Sequence, residues 1–499
     1  MTGNSGEIYI AGNIKAYSAI NLYSGTNDDG SQNLTLGVTG VLETLSGSIE
    51  LNPGDYGVLT GTLIAGGETS DIILNSKYSM DIKGNLTAGR DIIISAGTVQ
   101  EDGNTSIKTY GTSTLTSLSN EGTIKITGLN DVVINSTIGG EDSPNLKLID
   151  LSSTYGKLTL EKTSGRINTG ASLVLSGNDV DLAGVITSSR ATASTNDYEV
   201  EVKTSGDVDL HGSFDLAGSF KVDTKGDINI YNTILSANAN QRLTLKAGGS
   251  FNIGTVNPTQ DELSVNAVTI SADKNLTIKA GNLLHIASDS ILQTTKELSL
   301  ININAKSMIL GGTIQALEDN SNINITTSSY ILLGTKGLDT DLNLVDFGAN
   351  IIASGDVSIQ AGSSMSADDT AGLGLKVSDL SKIESINSDV IINSLGEVQN
   401  EGIIQALSQN GDVSITSSSL IFISNLVKAT NIINLNAGVH ASNTAIYIDE
   451  NASITTTADN GTIAFNSNNS IQILGVVGES SAVDNQIQAT VKSIDLSSL

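Results

Sequence analysis

The residues best suited to acid–base chemistry in this 499-residue chain are its three histidines, His211, His285 and His440, which stand in separate regions. An imidazole works as a general base only when a nucleophile or substrate proton is in reach and a third group orients the ring. Nothing local in the sequence gives any of the three such a partner. His211 alternates with Asp207 and Asp209 at the end of a strand-like run, which reads as a solvated face. No catalytic residue is assigned on these grounds, and the chain is read as not an enzyme.

Carboxylates are the next resource. Asp207 and Asp227 are 20 residues apart, and so are Asp209 and Asn229, so a repeat of that length stacks one over the other. Such an oxygen ladder has the donor type that Ca²⁺ prefers. Two or three carboxylates with a Lys or Arg, in an aromatic groove, are also what polysaccharide lyases and glycosidases need. Asp after Gly equally suits a turn on its own account, and that reading is preferred here. Trp is absent and Tyr numbers only 11, which leaves little for sugar stacking. Whether the acids hold a metal stays open. Asp28-Asp29-Gly30 and Asp459-Asn460-Gly461 are fragments of a calcium loop without its remaining ligands, so both read as turns. No phosphate loop or dinucleotide fingerprint occurs, and no cofactor is implied.

The elements that position these residues are short strands. Hydrophobic residues make up 38% of the chain while aromatics make up 3%, and there are 51 Gly, 3 Pro and no Cys. Aliphatic β-branched residues punctuated by Gly, Asn, Asp, Ser and Thr indicate strands joined by tight turns. Residues 198–254 show the pattern most clearly. Apolar pairs Val200/Val202, Val208/Leu210, Phe214/Leu216, Phe220/Val222, Ile228/Ile230, Leu243/Leu245 and Phe251/Ile253 alternate with polar residues, the period of a half-buried strand. Gly206, Gly212, Gly218 and Gly226 lie between them, where sharp corners with positive φ are expected.

Two strand sites advance together. Val200 to Phe220 and Val208 to Ile228 both span 20 residues; Phe220 to Leu243 and Ile228 to Phe251 span 23; Leu243 to Leu276 and Phe251 to Leu284 span 33. Loop insertions, such as one around Asn238-Ala-Asn240, lengthen whole turns without breaking the lockstep. Gly-Asp opens strands at 206, 226, 355 and 411, Asn-Leu-Thr opens them at 33, 85 and 275, and Ala-Gly closes them at 96, 247, 280, 361 and 437. The pattern predicts an all-β fold, a single right-handed parallel β-helix over 1–499, with roughly 20 to 25 rungs and a length on the order of 100 Å. Propellers and immunoglobulin sandwiches would carry aromatic signatures that are missing.

Segments such as Gly84-Asn-Leu-Thr-Ala-Gly-Arg-Asp-Ile-Ile-Ile-Ser-Ala-Gly97 and Asn275-Leu-Thr-Ile-Lys-Ala-Gly-Asn-Leu-Leu-His-Ile286 resemble the haemagglutinin-type repeats of filamentous-haemagglutinin-like exoproteins of Gram-negative bacteria. The resemblance implies an extracellular or cell-surface adhesin rod exported by two-partner secretion or a related route. It would serve attachment to a host or neighbouring-cell receptor or glycan, biofilm cohesion, or display of a distal domain. Its export partner would be an outer-membrane transporter. The family's secretion-domain signature is not found at Asn52-Pro53 or Asn257-Pro258, so the chain reads as stalk. Strand-like text runs from 7–10 to 494–496, and a segment of a longer protein is expected.

The formal charge of −28, with 25 Lys and Arg against 53 Asp and Glu, argues against nucleic acid and against anionic lipid. No stretch approaches the ~20 apolar residues that span a bilayer, so direct membrane insertion is not expected. The opening residues lack the regions of a signal peptide. Polar insertions at 25–32, 101–105, 139–144, 188–197 and 367–374 are the expected places for adhesive contacts. Asn-x-Ser/Thr sequons at Asn33, Asn85, Asn104, Asn135, Asn275, Asn324 and Asn451 read as chance occurrences. A carbohydrate-active β-helix enzyme and a phage tail-fibre segment are the alternatives.

Overall fold

A strand with Ile, Leu or Val at every second position buries nothing alone; its apolar row needs a neighbour of the same pitch. In the computed structural model the chain meets that need by coiling. It is all-β with no helix among the described residues, and its strands stack in parallel as a β-solenoid. The structure describes residues 2–3, 8–24, 35–97, 105–140, 146–170, 172–189, 199–232, 234–236, 242–254, 267–338, 344–362, 372–441, 443–478 and 486–491.

The chain divides into two compact units, Met1–Gln241 and Arg242–Leu499. Each winds through three strand faces per turn. In the first unit, face-one strands start at residues 2, 20, 49, 72, 92, 123, 148, 172, 200 and 220. In the second they start at 242, 275, 300, 322, 357, 390, 413, 432, 462 and 486. Most turns exceed the shortest spacing because loops are inserted, so the rung number falls at or below the low end of the expected range.

Register is strict. On face one of the first unit Ile92, Ile124, Ile149, Leu173, Val200 and Phe220 are successive partners, and all are fully buried. On face two Val208 lies beside Ile228, both inward and fully buried. In the second unit Leu243 pairs with Leu276 and Phe251 with Leu284, as the 33-residue spacing requires. The core of each unit is therefore a set of mostly aliphatic columns, and a strand such as Val200–Thr204 or Val208–Leu210 supplies two of them. Burying one such side chain stabilises by about 1.5–3 kcal/mol.

The corners differ from expectation in one respect. None of Gly206, Gly212, Gly218 and Gly226 has positive φ. They are glycines because the preceding rung comes too close. A Cβ at Gly206 would overlap Asp179 Oδ1, and one at Gly226 would overlap Asp207 Oδ1 and the Gly206 carbonyl. The Ala280-Gly281 step also fails to close a strand. Asn275–Ile286 runs through it, pairing on both sides of a register shift between Ala280 and Leu283.

Buried Ser and Thr at strand ends explain part of the polar content. Ser153 Oγ donates to the Asn130 carbonyl at 2.7 Å, Ser385 Oγ to Gly355 at 2.7 Å and Ser417 Oγ to Gly396 at 2.8 Å, each on the previous rung. The carbonyls that these hydroxyls reach, freed from the ladder at their corners, are satisfied this way. The single antiparallel pair among the described residues, Thr335–Leu338 with Leu344–Phe347, is an inserted hairpin.

Candidate functional site

The acids that open strands sit in columns, and their first task is structural. The Asp207 N–H donates to Asp179 Oδ1 at 2.8 Å, and the Asp227 N–H donates to Asp207 Oδ1 at 2.8 Å. The second unit repeats the device. Asn322 Oδ1 accepts the Asp356 N–H at 2.7 Å, Asp356 Oδ1 the Asp389 N–H at 3.3 Å, Asp389 Oδ1 the Asp412 N–H at 2.9 Å, and Asp412 Oδ1 the Ile432 N–H at 3.0 Å. A carboxylate that accepts a backbone N–H replaces the ladder partner lost at the turn. The stacking of Asp207 over Asp227 is thus present and occupied by backbone. Among the described residues no group of three or more His, Asp and Glu is placed to hold a metal ion.

Outward positions of face two in the first unit bring together a different set. Asp181 and Asp209 are register partners, and so are Asp209 and Asn229. Lys157 Nζ donates to Asp181 Oδ2 at 2.8 Å, and Asn229 Nδ2 donates to Asp209 Oδ1 at 2.9 Å. Asp181 Oδ1 is buried and accepts no hydrogen bond; His211 Nε2 stands 4.0 Å from it. The His211 ring stacks on Tyr231, with centroids 4.3 Å apart and planes 10° from parallel. His211 is therefore on the outward face, partly exposed, with a carboxylate on one side and a phenol ring on the other. Sequence reading missed this because Asp181 is a full rung away, and that rung is 28 residues long where the next, from Asp209 to Asn229, is 20.

Electrostatics decide what this cluster can do. Burial alone would lower the Lys157 pKa, but its hydrogen bond to Asp181 and the charges of Asp181, Asp209 and Asp179 outweigh that and raise it. Burial, then the charges of Asp209 and Asp181, push the Tyr231 phenol up from its ordinary value. Both groups hold their protons at neutral pH. Neither is poised as the base that a lyase needs.

The other histidines lie in the second unit. His285 sits in an outward column between Asn252 and Ile309, and burial lowers its pKa. His440 Nε2 is 3.0 Å from Glu397 Oε1, whose second oxygen accepts from Gln399 Nε2 at 3.2 Å. These partners are 43 residues apart in sequence, so no local motif could show them.

Of the expected contact loops, 25–32 lies wholly outside the described residues, as do most of 101–105, 139–144, 188–197 and 367–374. So do Asp28-Asp29-Gly30, Asn33, Asn104, Asn238-Ala-Asn240 and Asn257-Pro258. Asp459-Asn460-Gly461 forms a turn before Thr462–Ser467, and the Gly461 N–H closes it on the Ala458 carbonyl at 3.0 Å. No helix among the described residues is long and apolar enough to cross a membrane. No family model matches the chain, and neither a curated protein nor a solved structure is significantly similar to it.

Proposed function

We propose that this chain is a β-solenoid stalk segment of a secreted or surface-exposed bacterial exoprotein of the haemagglutinin-repeat type. It works as a scaffold for attachment, cell–cell cohesion or display of a distal domain. The observation that carries the reading is the use of the acids. Corner carboxylates such as Asp207 and Asp389 accept backbone N–H groups from the next rung, so these acids serve stacking. The remaining negative charge keeps copies apart and soluble. On this reading the partner is a receptor or glycan on another cell, reached through insertions, and an outer-membrane transporter acts during export.

The test is attachment. Beads or surfaces coated with the chain are scored for retention of candidate host cells and of the producing cells. Retention above that of an unrelated acidic protein supports the scaffold reading; background retention on both counts against it. The buried Asp181 Oδ1, which accepts no hydrogen bond and stands beside His211, favours a second reading, a carbohydrate-active enzyme on the same fold. Release of reducing ends or unsaturated products from polysaccharides, abolished by Asp209→Asn, would establish that reading instead.

A further inference from the structure

Outward positions on face two of the second unit carry Lys376, Gln399, Phe422, Tyr447 and Gln472 in one column. Four of the six Phe in the chain, Phe214, Phe220, Phe251 and Phe465, are fully buried, so a phenylalanine ring here is normally core. Phe422 breaks that rule. It stands outward between inward Ile421 and Ile423 and stacks on Tyr447, with centroids 5.5 Å apart and planes 9° from parallel. Beside the pair is an open groove of about 350 Å³ lined by Leu420, Phe422, Thr444, Tyr447 and Asp449. That volume is within the range of small-ligand sites.

We propose that this groove binds a neutral saccharide. A sugar presents an apolar C–H face to an aromatic surface and hydroxyls around its rim. The groove offers both complements: ring surface from Phe422 and Tyr447, and the Asp449 carboxylate, which accepts from hydroxyls. The charge of −28 and Asp449 in the wall turn away uronic or sulfated glycans. The inference deepens the attachment reading and rests on it for its setting. A cross-rung aromatic pair can also simply stabilise the sheet, which is what the test separates.

Full-length chain is titrated with neutral cello-, malto- and chito-oligosaccharides, with polygalacturonate as the anionic probe. At least one neutral oligosaccharide binds the parent chain. Tyr447→Ala weakens it about tenfold or more, and Tyr447→Phe keeps most of the affinity. Asp449→Asn weakens binding with the melting temperature unchanged, and it decides the matter if Tyr447→Ala fails to fold. Failure of every neutral probe to bind, unchanged binding in Asp449→Asn and a folded Tyr447→Ala, or preference for polygalacturonate overturns the proposal. Cell attachment that survives in Tyr447→Ala removes this site and leaves the scaffold reading in place.

Discussion

The Asp227 N–H reaches Asp207 Oδ1 at 2.8 Å across one rung, and Gly226 lies over that same oxygen, where a Cβ would overlap it. The Gly-Asp pair is therefore one device with two parts. The acid caps the rung that follows, and the glycine clears room for the acid of the rung before.

Removing the acceptor while keeping the backbone separates the parts. Asp207→Ala leaves the Asp227 N–H without its acceptor and costs about 0.5–1.5 kcal/mol in chemical denaturation. Asp207→Asn keeps an acceptor oxygen and lies close to the parent. Equal loss in both variants would mean that the charge matters and the hydrogen bond does not.

Filling the cleared space is worse. Gly226→Ala places a methyl group against Asp207 Oδ1 and the Gly206 backbone, and destabilises by about 1–3 kcal/mol. In the double variant Asp207→Ala/Gly226→Ala, part of that cost is relieved. Strict additivity by denaturation would show that the two residues do not meet.

Charge in the second column has a sign that can be read. Burial raises the Asp389 pKa, and the charges of Asp412 and Asp356 raise it further, against the lowering effect of the Asp412 N–H. The folded state thus keeps this proton to higher pH than the ordinary 3.8 of the unfolded chain. The stability it contributes is present below 3.8 and lost as pH rises through the folded value. Asp389→Asn keeps the acceptor and removes the repulsion, so it melts higher than the parent at pH 7. The margin closes as the pH is taken below 3.8. A lower melting temperature at pH 7 would contradict this.

His285 has the opposite dependence. Burial holds the folded imidazole below the 6.5 of the unfolded chain, so on acidification the unfolded chain binds the proton first. Stability falls as pH drops through 6.5 and levels off below the folded pKa. His285→Gln flattens that segment of the stability profile. A parent profile with no decline below 6.5 would remove the assignment.

The sequence carries the columns openly because each strand alternates with period two and each rung repeats its apolar pair. Val208 beside Ile228 follows from a 20-residue step and needs no structure. His211 beside Asp181 and His440 beside Glu397 follow the same geometry, but loops of changing length separate the partners by 30 and 43 residues, so local inspection passes over them. Gly206 and Gly226 were legible as corner residues, yet for the wrong reason: sequence shows a missing side chain, and only the neighbouring rung shows what would collide with it. The outward place of Phe422 is not legible in the sequence, because apolar residues on three successive positions, Ile421, Phe422 and Ile423, hide the alternation.

A crosslink tests the register most directly, because the chain has no Cys of its own. Asp209 and Asn229 are outward register partners. Their Cα atoms should lie about 4.8 Å apart, inside the span a disulfide bridges. Asp209→Cys/Asn229→Cys is predicted to oxidise rapidly to an intramolecular bond that leaves the fold intact, while Asp209→Cys/Lys221→Cys, on different faces, does not. Failure of the first pair to close, or equal closure of both, would contradict the stacked, in-register coil.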